Sequence, residues 1–348
     1  MNILITGATG NVGLSVLNNL TNQNINLKVV AGVRNVEKEK GKLQEFNVSL
    51  VTFDFKNVQT FQPALQGIDI LFLLRPPQLA DVEKYFKPLI EEVKKCSVRQ
   101  IVFLSVQGVE NSKIIPHHKI EKLITDHKIA YTFLRPAYFM QNFTTTLRSD
   151  LVNKHRIYLP AGHAKFTLID VDDIGLVAAK VLVEPQKHLS KSYELTNNET
   201  LNFAEMAQKL SNGMGEKIKY ISPNLLQFYL TKRKEGVPAM FILVMIMLHY
   251  FPRFQKTPRT TECVKNITGQ EPKSFDNFIL ANLKQNIKIK KNNMTGLPKN
   301  IEPLKQAPAT SPKKDAQGGA NSSFPQEYEE QRSEEIRMKP QPFVKPKK

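Results

Sequence analysis

Residues 1–20 read MNILITGATGNVGLSVLNNL, and the middle of this stretch decides the fold. Ile3 to Ile5 forms a short apolar strand, Thr6-Gly7-Ala8-Thr9-Gly10-Asn11-Val12-Gly13 follows, and Val12, Val16, Leu17 and Leu20 recur at helical spacing. A pyrophosphate reaches the backbone N–H groups at a helix N-terminus only where no Cβ obstructs it. Gly7 and Gly10 therefore serve the turn and the close approach. Gly13 is expected to let the first helix pack tightly on the sheet. The strand before the glycines and the helix after them supply the context that such a pattern requires.

Further apolar runs follow at 27–33, 48–53, 68–74, 100–104 and 131–134, rich in Val, Ile, Leu and Phe without alternation. Strands of that kind are covered on both faces. Helical segments at 12–20, 61–66, 81–95 and 118–126 separate them, so the expected fold is α/β, a Rossmann-type doubly wound parallel sheet. Beyond residue 135 the pattern loosens into strands near 166–169, 192–195 and 217–221 and helices at 170–183, 202–210 and 223–233. These read as a small substrate-side region leaning over the sheet's C-terminal edge. The expected division is 1–150 for the nucleotide-binding core, 151–285 for the smaller region and 286–348 for a tail.

The tail holds eight of the chain's 21 prolines and few apolar residues. It cannot bury enough surface to offset chain entropy and reads as disordered, basic and Pro-rich, a candidate for holding a protein partner. The run AMFILVMIML at 239–248 is shorter than the roughly 20 residues that span a bilayer. It is expected to be a buried helix. A pocket wall or a membrane-dipping helix is the alternative, since Met240, Met245 and Met247 repack around varied shapes.

Lys+Arg 49 against Asp+Glu 32 leaves a net charge of +17, of which the tail carries +6 and the body +11. A basic body attracts phosphate-bearing cofactors, nucleic acid or anionic lipid through its general field and selects none of them. No basic motif with interleaved aromatics appears, so neither a nucleic-acid nor a membrane role is expected. Cys96 and Cys263 are too few for a disulfide framework or a four-cysteine zinc site. The N-terminus lacks a basic n-region and a long apolar h-region, and a cytoplasmic location is expected. Asp170, Asp172 and Asp173 read as a helix start, and no metal site is expected.

Arg34 ends the second strand, where an NAD site places a carboxylate on the ribose 2′-OH. A guanidinium there matches a 2′-phosphate, so NADPH is expected over NADH. Asp54 and Phe55 follow the third strand, positioned to read the adenine edge. Leu74 ends the fourth, over the ribose.

The motifs GATGNVG from Gly7, VRN from Val33, FDF from Phe53, SVQGVE from Ser105, HHKIEKLI from His117, YTFLRPAYFMQNF from Tyr131 and DVDDIG from Asp170 occur in that order, followed by ITGQEPKSFDNFI from Ile267. Together they resemble the NmrA-like branch of the atypical short-chain dehydrogenases, over nearly all of residues 1–285. That group includes NADPH-dependent quinone and azo-dye reductases and redox-sensing regulators. The resemblance implies that Gly7, Thr9, Gly10, Asn11 and Val12 hold the pyrophosphate, with Arg34 at the 2′-phosphate and Asp54 and Phe55 at the adenine. It places the nicotinamide near Ser105 and Pro136, has His117 face it, and sets Phe139, Met140 and Asn142 on the substrate side.

One departure shapes the expected chemistry. No Tyr-x-x-x-Lys exists: Tyr131 and Tyr229 have Arg135 and Arg233 at the fourth place. Carbonyl reduction needs a positioned proton donor, whereas quinone reduction needs one less because the product's charge is delocalised. A quinone-like small acceptor is therefore expected. His117, which titrates in the useful range, and Tyr138 are the donor candidates. The competing expectation is a non-catalytic NADP(H) sensor acting on a protein or nucleic-acid partner. The sequence leaves the oligomeric state open.

Overall fold

A computed structural model describes residues 1–21 and 27–283; the tail expected at 286–348 lies outside them. Strands and helices alternate through the first half: β1 (Asn2–Thr6), α1 (Asn11–Thr21), β2 (Lys28–Val33), α2 (Val36–Leu43), β3 (Ser49–Thr52), α3 (Phe61–Leu65), β4 (Ile70–Leu74), α4 (Val82–Tyr85), α5 (Lys87–Lys95), β5 (Gln100–Leu104), α6 (Pro116–Asp126) and β6 (Ala130–Pro136). The second half comprises β7 (Tyr138–Phe139), α7 (Arg148–Lys154), β8 (Arg156–Tyr158), β9 (Lys165–Ile169), α8 (Val171–Val183), β10 (Lys191–Leu195), β11 (Thr200–Asn202), α9 (Phe203–Met214), β12 (Lys219–Ile221), α10 (Leu225–Lys234), α11 (Ala239–Tyr250), α12 (Cys263–Thr268) and α13 (Phe275–Asn282).

The main sheet runs β10-β6-β5-β4-β1-β2-β3, with every neighbouring pair parallel. Successive strand residues point to opposite faces, and both faces are apolar. Ile3 and Ile5 join Val16, Leu17 and Val177 in one buried layer, while Leu4 joins Phe86, Leu89 and Ile101 in the other. This is the doubly wound Rossmann-type arrangement. Chain order reverses between β1 and β4, and the crevice outside the strands' carboxyl ends at such a reversal takes ligands.

A second core of Met140, Phe143, Leu151, Phe203, Phe228 and Phe275 belongs to α7, α9, α10, α11 and α13 and two small sheets, β11-β9-β7 and β12-β8. The boundary expected at residue 150 cuts through both layers. Met140, Phe143 and Leu147 precede it yet lie in the second core, whereas β10 returns to the edge of the main sheet and α8 packs beside α1.

Three departures from the expected elements have physical reasons. The helix expected at 81–95 breaks at Phe86, because Pro88 cannot donate to the carbonyl of Lys84 and its ring crowds that turn. α2 is mostly charged, so no apolar periodicity announces it; its signal is Asn35, whose side chain accepts from the Lys38 N–H at 3.0 Å. α11 is not buried as expected. Only Ile242, Met245 and His249 are buried, while Met240, Leu243 and Leu248 are 69%, 50% and 49% exposed.

Candidate active site

Each residue expected at the cofactor lies at or just past the carboxyl end of a parallel strand, which brings residues far apart in sequence to one edge. Gly7, after β1, has φ +60°, a left-handed conformation that favours glycine, and a Cβ there would stand 3.3 Å from Leu74 Cβ. The N–H of Gly10 donates to Gly7 O at 3.0 Å and closes the turn. Thr6 Oγ1 accepts from the Leu74 N–H at 2.8 Å, tying β1 to β4 across the reversal. Gly13 corrects the expectation. A Cβ on it would lie 2.3 Å from Gly7 O and 2.7 Å from Ala8 Cα, so Gly13 shapes the loop itself. Close helix packing falls to Gly175 of α8, where a Cβ would meet Ser15 of α1.

Gly7, Gly10 and Asn11 are exposed, Thr9 is half-buried, and Val12 is buried, so Val12 presents only backbone. The first turn of α1 carries no acidic side chain, which leaves its N-terminal dipole open to an anion. Arg34, just past β2, is exposed and has no hydrogen-bond or ion-pair partner among the described residues. Asp54 is half-buried in a turn, its N–H on Thr60 Oγ1 at 3.0 Å and its Oδ1 accepting from the Lys56 N–H at 2.9 Å. The Phe55 ring packs against Phe53 and Phe86, so that residue also offers a ligand only its backbone.

Ser105, after β5, donates its N–H to Leu134 O at 2.7 Å, yet its buried Oγ has no partner. A buried hydroxyl left unpaired costs about 1–3 kcal/mol, so the atom is suited to a ligand's polar group. Pro136 is buried at the end of β6 beside Leu195.

Arg75, which sequence reading passed over, organises the loop after β4. Its Nη1 donates to the carbonyls of Pro76, Pro77 and Leu79 at 3.0–3.1 Å, and its Nε donates to His117 Nε2 at 3.3 Å. His117 therefore accepts on Nε2 and carries its proton on Nδ1. Burial, reinforced by the Arg75 charge, pushes its pKa down to about 3. This overturns the expectation that His117 titrates in the useful range. The pH–rate profile of turnover is expected to lack a limb near 6.5, and His117→Gln to leave its shape unchanged. A limb that vanishes in the variant would restore His117 as an acid.

Tyr138 is engaged from the opposite side. His249 Nδ1 lies 2.6 Å from Met245 O and must donate to it, so Nε2 accepts from the Tyr138 hydroxyl at 3.1 Å. Burial pushes the Tyr138 hydroxyl up, against an opposing bond from Asn142. Burial likewise pushes His249 down to about 4, leaving the imidazole neutral. Asn142 is half-buried beside this pair, while half-buried Phe139, next to Tyr138 in β7, packs against the main-sheet layer; Met140 is fully buried in the second core and offers a substrate no surface, contrary to expectation. His249 stands 111 residues from Tyr138, and no local signal in the sequence connects them. Asp170 caps α8 as expected, accepting from the Asp172 N–H at 2.8 Å.

The NmrA-like family model matches residues 1–251, and the chain belongs to that family. Prestalk A differentiation protein A of Dictyostelium discoideum is 30% identical over 280 residues, covering 80% of this chain and 91% of that protein. The NAD(P)H azoreductase of Xenophilus azovorans is 26% identical over 283 residues, covering 80% and 97%. Among solved structures, the NADPH-dependent quinone oxidoreductase of Escherichia coli in complex with NADPH superposes with a TM-score of 0.72 at 22% identity, over 80% of this chain and 98% of that one, a likeness of fold.

Proposed function

We propose that this protein is an NADPH-dependent oxidoreductase that reduces a flat, conjugated acceptor of the quinone kind. The observation that carries the reading is the set of groups left open at the sheet edge. The glycine cradle and α1 N-terminus suit a pyrophosphate, unpaired Arg34 suits a 2′-phosphate, and the buried Ser105 hydroxyl lacks a partner. The azoreductase and quinone oxidoreductase names borne by relatives agree with it. Bound here, NADPH supplies the hydride.

The chain's own residues orient and enclose. Gly7, Thr9, Gly10, Asn11 and Val12 hold the phosphates, Asp54 and the Phe55 backbone border the adenine, and Leu74 covers the ribose. Ser105 and Pro136 set the floor under the reacting ring, and Arg75 fixes the loop beside it through His117. Phe139 and Asn142 face the acceptor. The Tyr138 proton is committed to His249, and His117 holds no titratable proton at neutral pH. An acceptor whose reduced form spreads its charge fits such a site better than an isolated carbonyl. The sensor alternative, which the missing Tyr-x-x-x-Lys also suits and whose tail at 286–348 lies outside the described residues, has less support than reduction, with which the reductase names of the relatives agree.

Fluorescence titration with NADPH, NADP⁺ and NADH tests the cofactor, and quinones then serve as acceptors. Arg34→Ala is expected to weaken NADPH binding about 10- to 100-fold while leaving NADH unchanged, from the loss of charge-assisted bonds worth about 1.5–3 kcal/mol. Equal losses for both nucleotides would remove Arg34 from the 2′-phosphate.

A further inference from the structure

The second helix of the α10–α11 pair is apolar on every side but attached by one. At about 100° per residue, Ile242, Met245 and His249 share a narrow stripe, and these are its buried residues. The opposite arc holds Met240, Phe241, Leu243, Val244, Met247 and Leu248, with no polar residue among them. Five of these six are exposed, at 69% for Met240 and between 40% and 50% for Phe241, Leu243, Met247 and Leu248. Phe251 and Phe254 extend the patch past the helix end, at 54% and 71% exposure. Contiguous apolar surface of this kind marks a place where something docks.

Charge narrows the choice of partner. Between residues 222 and 261 the chain has six Lys and Arg and a single acid, Glu235. That acid is ion-paired with Lys154, Arg156 and Lys232. Lys234 lies just before α11, and Arg253 and Lys256 just after it; all three are exposed and have no acidic partner among the described residues. An apolar arc with cations at both ends matches acyl chains beneath anionic headgroups, the cations snorkelling to the phosphates. Twelve residues of helix measure about 18 Å, short of the roughly 30 Å hydrocarbon core. No helix among the described residues is long and apolar enough to cross a membrane.

We propose that the outer face of α11, with Phe251 and Phe254, docks on an anionic lipid bilayer and lies in its interface without spanning it. The docking stands independently of the redox reading, because the exposed α11 side chains lie on the arc opposite the buried His249.

The test is co-sedimentation of the full chain with phosphatidylcholine vesicles containing about one-third phosphatidylserine, against phosphatidylcholine alone. Binding is expected to the anionic vesicles and to be at least about tenfold weaker to the neutral ones. Lys234→Gln with Arg253→Gln and Lys256→Gln should weaken it by roughly a hundredfold at low salt, and less at higher salt. Leu243→Ser with Met247→Ser and Leu248→Ser should abolish it. Both variants should keep the parent's NADPH affinity, which separates failure of docking from failure of the cofactor site. If the serine variant misfolds, the charge variant carries the test. Absence of parent binding overturns the proposal. So does a dimer seen by sedimentation velocity that the serine variant dissolves while vesicles stay unbound, since a second copy then covers the face.

Discussion

Gly10→Ala should leave the melting temperature unchanged and weaken NADPH binding at least about 30-fold, whereas Gly13→Ala should lower both together. The two glycines differ in what a Cβ meets. At Gly10 the nearest atom, Gly7 O, lies at an ordinary 3.4 Å, so the protein tolerates a methyl that projects where the phosphates approach. At Gly13 the methyl would stand 2.3 Å from that same oxygen and 2.8 Å from the Ala8 carbonyl carbon. Backbone on both sides cannot rotate away, so the turn must open. Overpacking of this kind costs about 1–3 kcal/mol or more, only partly offset by the roughly 1 kcal/mol that alanine gains over glycine in a helix. Calorimetry and nucleotide titration on both variants decide the matter. Equal effects on stability would mean that Gly10 is also a structural requirement, and the cofactor assignment would then lose its cleanest support.

The second large effect lies in the other layer. Asp150 is 4% exposed and accepts from Lys232 Nζ and from Arg156 Nε at 3.0 Å, joining α7, β8 and α10. Burial by itself raises the Asp150 carboxyl, but Lys232 and Arg156 outweigh it and hold the group below the usual carboxylate range. Asp150→Ala strands the buried Lys232 with only Glu235 at 2.8 Å. Such a loss costs about 3–5 kcal/mol, which urea unfolding resolves. The sign of the pH dependence follows from the lowered pKa. The contribution is fully present above the unfolded value near 3.9 and disappears as pH falls through the folded one. A loss under about 1 kcal/mol would mean that the network is screened like a surface pair.

The glycine loop, the succession of strands and the residues Arg34 and Asp54 just past them were legible because each rests on a short local pattern: an apolar run, a turn, and the residue that follows. Arg34 could be named for that reason, standing directly after a strand, whereas Ser105 was named only through the family resemblance. Arg75 was missed, since nothing local shows that its guanidinium turns back onto three carbonyls and His117, and without it His117 looked titratable. Met140 was placed on the substrate side although its side chain belongs to the core, because neighbouring residues in a strand and turn point different ways. The partnership of Tyr138 with His249 depends on how the second layer folds back over the first. The exposure of α11 was illegible for a related reason: composition reports that a helix is apolar but not how much of it finds a partner.

Lys273 bears on how the protein comes into being. Its ammonium reaches Asp170 at 3.0 Å and Asp172 at 2.9 Å, and its N–H donates to Asp173 at 2.8 Å. Three carboxylates at the start of α8 therefore wait about a hundred residues of translation for their one lysine. Until then, the start of a helix that packs against α1 lacks its cation, and the fully buried Asp170 has only Gln141 and the Asp172 N–H as hydrogen-bond donors. The main-sheet layer thus reaches its final stability only once the last helices emerge, and a nascent chain halted near residue 251 holds an incomplete fold even though its main sheet is already synthesised.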